Sequence, residues 1–104
     1  MIKNTWCPGC GNFPLMEALK RALAQEKKER LVLVAGIGCH GKIADYIKVN
    51  SFCGLHGRAL PVAEGIKIAN PDLKVVCSSG DGDSYNEGIA HLIHAAKRNS
   101  DITV

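Results

Sequence analysis

Apolar positions along this 104-residue chain change their period several times, and each change predicts an element. Leu15, Met16, Leu19 and Leu23 recur at helical spacing. They predict an amphipathic helix over residues 12–28, with Asn12 as its cap and Pro14 in its first turn. Leu31, Val32, Leu33, Val34 and Ala35 form an unbroken apolar run, the pattern of a strand covered on both faces. A glycine-rich turn over residues 36–41 leads from it into a short helix near residues 42–47, and residues 49–58 read as loop. A helix follows over residues 59–69, closed by Asn70 and Pro71. Residues 73–77 predict a second strand, residues 78–83 its exit loop, and residues 84–98 a helix with Ile89, Leu92, Ile93 and Ala96 facing inward. Residues 101–104 begin a third strand.

Strands alternating with helices predict an α/β fold, a parallel sheet with helices on both faces. No repeat or long linker divides the chain, so residues 1–104 read as part of one domain. The last residues lie inside an apolar strand with no turn after them, the expectation for a truncated piece of a longer subunit. Sites in such sheets sit beyond the carboxyl ends of strands, where both glycine-rich loops fall.

Composition narrows the class. The apolar fraction of 46% suits a globular protein. A net charge of +3, from 13 basic and 10 acidic side chains spread along the chain, lacks the basic, aromatic-rich stripe of a nucleic-acid binder. The apolar run over residues 31–38 is too short for a membrane span, and residues 1–6 lack the apolar stretch of a signal peptide. The expectation is a cytoplasmic protein, where five cysteines are more often buried, redox-active or metal-bound than paired in disulfides.

Four constellations carry candidate chemistry. Cys7-Pro8-Gly9-Cys10, followed at a distance by Cys39, offers two thiolates in a tight turn and a third that folding can bring in. Taken alone it also suits a redox dithiol or a structural zinc module, although zinc usually takes four protein ligands and no second CxxC is present. Gly36-Ile37-Gly38-Cys39-His40-Gly41 satisfies the G-x-G-x-x-G pattern after a strand, which keeps an NAD-dependent dehydrogenase open as an alternative. The acidic residue expected about 20 positions on, at the end of the next strand, is missing. Gly80-Asp81-Gly82-Asp83 places glycines and carboxylates at a strand's exit, suited to a diphosphate and its Mg²⁺ and equally to an ordinary tight turn. His56-Gly57-Arg58 sets cationic or donor groups before a helix, where an anion would be welcome.

In this order the segments Trp6-Cys7-Pro8-Gly9-Cys10-Gly11-Asn12, Gly36-Ile37-Gly38-Cys39, His56-Gly57-Arg58-Ala59 and Gly80-Asp81-Gly82-Asp83 resemble the beta subunit of 2-oxoacid:ferredoxin oxidoreductases. Asn86-Glu87-Gly88, His91-Leu92-Ile93-His94 and Lys97-Arg98-Asn99 are also similar to that family, so the resemblance runs through nearly the whole chain. It implies the N-terminal portion of a thiamine-diphosphate-binding fold. It further implies a [4Fe–4S] cluster held by Cys7, Cys10 and Cys39, with the fourth ligand beyond Val104. Asp81 falls on the Mg²⁺-binding aspartate, whose companion Asn pair also lies beyond the chain. Gly38, Cys39, Lys42, His56, Arg58, Gly80, Gly82 and Asp83 fall near the diphosphate surface. Cys53 and Cys77 match no cluster ligand, and His40 occupies a position that is often serine in that family. His91 and His94 share the polar side of their helix with Glu87, the pattern of a solvated or subunit-facing surface. The implied reaction is oxidative decarboxylation of a 2-oxoacid such as pyruvate or 2-oxoglutarate to acyl-coenzyme A and CO₂, with electrons passed to ferredoxin. The implied partners are ferredoxin and an alpha subunit, in some arrangements joined by gamma and delta subunits, and a partner subunit supplies an activating glutamate. This chain alone is then expected to be inactive.

Overall fold

A computed structural model of the chain describes residues 2–104. Its elements are α1 (Asn12–Leu23), β1 (Leu31–Ala35), α2 (Ile43–Tyr46), β2 (Asn50–Cys53), α3 (Ala59–Ala69), β3 (Lys74–Ser78) and α4 (Ile89–Lys97). Short 3₁₀ turns cover Lys28–Arg30 and Cys39–Lys42, and a π-helical turn covers Gly82–Glu87. The sheet order is β2-β1-β3, with both pairings parallel.

The central strand explains the layering. Successive side chains of β1 point to opposite faces, and both faces are covered. Leu31 and Leu33 join Trp6, Met16, Leu23, Ile43 and Ile47 in one core, under α1 and α2. Val34 joins Ala59, Leu60, Ala63, Val75, Cys77 and Ala95 in the other, under α3 and α4. Leu33 and Val34 are both fully buried, each contributing roughly 1.5–3 kcal/mol of burial. The expected parallel α/β sheet with helices on both faces is therefore the fold observed. None of the described helices is long and apolar enough to cross a membrane.

Several local expectations are corrected. The segment read as loop over residues 49–58 contains β2, whose four residues are all exposed. An edge strand with one covered neighbour needs no apolar alternation; the ladder to Val32–Ala35 forms it. Asn12 is the first helical residue and not the cap: Gly11 precedes the helix, and the turn closed by Cys10 N–H on the Cys7 carbonyl (3.0 Å) runs directly into it. That helix ends at Leu23 because the polar residues 25–29 offer nothing to bury, and Leu15 on its flank is 54% exposed. The helix expected over residues 84–98 is broken at Gly88, where a Cβ would meet the Asp83 carbonyl at 2.5 Å and the Gly57 carbonyl at 2.8 Å. Behind the break, α4 turns Ala95 and Leu92 inward, while Ile89 and Ile93 are exposed and Ala96 is on the outside. The third strand is reduced to a single parallel bridge between Thr103 and Val76.

The return from α4 to that bridge rests on one half-buried ion pair. Asn99 leaves the helix with a φ of 49°, the left-handed conformation common after a helix end. Arg98 Nη2 then reaches Glu64 Oε2 of α3 at 2.7 Å, and the Ser100 hydroxyl donates to the same carboxylate. Hydrogen bonding to Arg98 is the main force holding the Glu64 carboxyl below its ordinary range; burial opposes it, and Ser100 and the Arg98 charge assist. A depressed carboxyl stabilises the fold above its unfolded value of 4.5 and loses that contribution as pH falls through the folded value. Glu64→Gln is accordingly expected to cost about 1–3 kcal/mol at neutral pH. In urea unfolding, the gap to the unaltered chain should close as pH drops below 4.5.

Candidate functional site

The carboxyl ends of β1 and β3 leave the sheet side by side, clamped by the Gly36 amide donating to the Ser78 carbonyl at 2.8 Å. Beyond them lies a cleft of about 390 Å³. Gly38, Cys39 and His40 line it from the first loop, His56 from the second, and Gly80, Asp81, Gly82 and Asp83 from the third, with Asn12 at one side. A smaller hollow of about 200 Å³ at the other end of β3 is bordered by the Lys67–Asp101 ion pair (2.8 Å) and gathers none of the candidate residues.

Close packing dictates the glycines. A Cβ on Gly36 would overlap the Asp83 carboxylate, and one on Gly80 would press the His40 ring at 2.8 Å. Gly57 has a φ of 69° and packs its backbone against Glu87 and Gly88. Gly82 differs: a Cβ there meets nothing within 4 Å, because its outer side is the open cleft.

Asp83 is the organising group. It is 2% exposed, and its Oδ1 accepts from the Gly57 amide (2.6 Å) and from His56 Nδ1 (2.6 Å). Its Oδ2 accepts from the Ser79 hydroxyl (2.9 Å), which is itself the acceptor for Ser84 Oγ at 2.6 Å. Burial disfavours the charge, yet hydrogen bonds from Gly57, His56, Ser79 and the Ile37 amide outweigh it and hold the carboxyl below its ordinary range. Asp81, two residues earlier, is exposed and accepts no hydrogen bond or ion pair among the described residues. Two carboxylates in one loop thus differ: one is consumed by the fold, the other is free for a cation.

His40 lies between the loops, its ring against Gly38 and Gly80. Burial lowers its basicity; Asp83 and Asp81 work the other way and His56 with it, so the net effect favours the neutral ring. Its Nε2 is buried with no hydrogen-bond partner among the described residues.

The three candidate cluster cysteines sit on two segments that the fold ties together. Cys7 and Cys39 are exposed, Cys10 is half-buried, and all are free thiols. The indole of Trp6 donates to the Cys39 carbonyl at 2.5 Å, and its ring meets Phe13 and Tyr46 edge-on at centroid distances of 5.5 and 5.0 Å. Among the described residues no three His, Cys, Asp or Glu side chains converge as a metal-holding group. The donor chemistry fits a thiophilic metal, and the two segments are adjacent, but the sulfurs are not gathered. Cys77 is buried in β3, and burial, with the Asp83 charge adding to it, pushes its thiol up to about 12. Cys53 is exposed at the end of β2.

Two expected diphosphate residues lie elsewhere. Lys42 does not line the cleft; its ammonium donates to Thr5 Oγ1 at 3.0 Å and so anchors the amino-terminal segment. Arg58 also stands outside the lining, with Nη1 directed to the Gly57 carbonyl at 3.3 Å. Residues to which sequence reasoning gave no role in the site are Asn12, Trp6, Tyr46 and Ser79. Asn12 and Trp6 flank the CxxC, a signal available in the sequence. Ser79 and Tyr46 carried none.

Residues 36–104 match the family described as thiamine pyrophosphate enzyme, C-terminal TPP binding domain, and the chain belongs to that family. Relatives narrow the likeness to the beta subunits expected above. A 2-oxoacid:ferredoxin oxidoreductase subunit beta of Saccharolobus solfataricus is 47% identical over 97% of this chain and 34% of its own length. The 2-oxoglutarate synthase subunit KorB of Archaeoglobus fulgidus is 42% identical over 99% of this chain and 39% of its own. A solved 2-oxoglutarate:ferredoxin oxidoreductase from Magnetococcus marinus, with 2-oxoglutarate, coenzyme A and succinyl-CoA bound, superposes with a TM-score of 0.93 at 37% identity, over 97% of this chain and 35% of that one. The chain thus spans about a third of the length of these relatives.

The glycine packing yields a contrast. Gly36→Ala is expected to lower stability by about 1–3 kcal/mol, since the added methyl must displace Asp83. Gly82→Ala, facing open space, should stay within about 0.5 kcal/mol of the unaltered chain in thermal melting.

Proposed function

We propose that this chain is the amino-terminal part of the thiamine-diphosphate-binding beta subunit of a cytoplasmic 2-oxoacid:ferredoxin oxidoreductase. The observation that carries the reading is the single cleft lined by both Cys39 and Asp81, with a glycine backbone open to it at Gly82. In this reading Asp81 holds Mg²⁺, a hard cation that prefers oxygen ligands. Gly38, Gly80 and Gly82 let the backbone approach the diphosphate, and His56 supplies a ring nitrogen to it. Asp83 acts from behind them. Lys42 and Arg58 stand back from the cleft and would reach the diphosphate only by swinging from their present partners. Cys7, Cys10 and Cys39 hold a [4Fe–4S] cluster, completed by a ligand from elsewhere in the full subunit.

Bound thiamine diphosphate supplies the electron sink for decarboxylating a 2-oxoacid; the protein supplies orientation and exclusion of water. The acyl group passes to coenzyme A and the electrons to ferredoxin. Because Cys39 shares the cleft, the cluster side and the cofactor side are neighbours, which shortens the electron's path. Exposed Leu55, Tyr85 and Phe52, at 79%, 70% and 50%, suit burial by the alpha subunit or by gamma and delta subunits. Five free cysteines agree with a reducing compartment.

Calorimetric titration should find binding of thiamine diphosphate that requires Mg²⁺, and none of NAD. Asp81→Ala should weaken that binding at least about tenfold, or 1.4 kcal/mol. NAD binding, or thiamine diphosphate binding indifferent to Asp81, would overturn the reading. Anaerobically purified full-length subunit should be brown and contain iron, and Cys39→Ala should lose most of that iron. The isolated 104-residue chain is expected to show no turnover.

A further inference from the structure

We infer that Asp83 is a positioning residue that acts through His56, fixing which ring nitrogen the cleft offers to an anionic ligand. The inference rests on the thiamine diphosphate reading and refines it, since Asp83 itself has no oxygen left for the cofactor.

Asp83 Oδ1 lies 2.6 Å from His56 Nδ1 and 2.6 Å from the Gly57 amide. The amide can only donate, so this oxygen is its acceptor. The Gly57 amide donates to Oδ1 and the Ser79 hydroxyl to Oδ2, so both carboxylate oxygens are engaged as acceptors, and an oxygen in that role at hydrogen-bond distance leaves the shared proton on His56 Nδ1. The ring of His56 is therefore tethered through Nδ1 to a carboxylate whose side chain is 1% exposed, while the imidazole itself remains 47% exposed and lines the cleft. Nε2 has no partner among the described residues and is the nitrogen left for a ligand.

The tether is also rigid. Gly57 follows His56 directly, and its amide is bound to the same oxygen, so ring and backbone are pinned at one point. Ser79 fixes the other carboxylate oxygen, and Gly36 leaves it no room to rotate. An orienting carboxylate behind a histidine, selecting its tautomer, is a recurring device where the second ring nitrogen has a task.

The test is a double-mutant cycle in the intact protein, with thiamine diphosphate plus Mg²⁺ as the probe and calorimetry as the readout. His56→Gln removes the ring, and Asp83→Asn keeps the shape while replacing one acceptor oxygen by an amide. Each single variant should weaken binding about tenfold or more. In the His56→Gln background, Asp83→Asn should add clearly less than it costs alone, because part of its effect runs through the ring and only the rest through the loops it clamps. A full additional loss there would overturn the inference and leave the thiamine diphosphate reading standing. Absence of binding by the unaltered protein would overturn both.

Ring ¹⁵N shifts of His56 give a readout that a purely structural carboxylate would not move, and they need no variant that must fold. The neutral ring of the unaltered protein should carry its proton on Nδ1. A ring protonated on Nε2 would overturn the inference by itself. Asp83→Asn, where folded by thermal melting, should shift the proton towards Nε2.

Discussion

A buried, ionised carboxylate holds the working end of this molecule together. Asp83 draws donors from the first glycine loop, from the His56–Gly57 corner and from its own strand exit, so three segments distant in sequence close on two oxygen atoms. An unpaired carboxylate at 2% exposure would cost several kcal/mol and would shed its charge instead. With its donors in place the charge is retained, and the loops cannot separate without exposing it. The cleft shape follows from this constraint, as does the freedom of Asp81, which stands outside the network.

The glycines are the steric counterpart of that electrostatic clamp. Gly36 yields its side-chain space to the carboxylate, Gly80 yields its own to the His40 ring, and Gly57 and Gly88 let two backbones touch. The π-helical turn at Gly82–Glu87 belongs to the same accommodation, carrying the chain around Gly57 before α4 begins. Such turns recur at functional sites, where regular helix would aim side chains away from a ligand.

A second lacing secures the amino-terminal cysteines. Trp6 is 7% exposed in the core under α1 and α2, and its one polar atom is bonded to the Cys39 carbonyl. Tyr46 receives the Thr5 amide at 3.1 Å, and Lys42 reaches the Thr5 hydroxyl. The CxxC turn is thereby held beside the Cys39 loop by hydrophobic packing and hydrogen bonds within the chain itself. A cluster held as proposed would then need only to draw thiols together, and not recruit a loose segment, which would lower its entropic cost.

Much of this was legible from residue order alone. The apolar run of β1, the span of α3 and the exit loop of β3 were written in periodicity and in Pro and Gly, because burial on two faces and chain reversal impose composition directly. The motif loops were legible for a related reason: at Gly36, Gly57 and Gly80 close approach admits only glycine. Tertiary structure alone decided the rest. Edge strand β2 exists because β1 presents a ladder to it, and its exposed Asn, Ser, Phe and Cys carry no periodic mark of that. Lys42 and Arg58 read as anion ligands by type, yet what a flexible cation binds depends on which acceptor the fold brings within reach. Asp81 and Asp83 are the same residue type two positions apart, and only the donors converging on one of them separate a carboxylate that builds the site from one left free to use it.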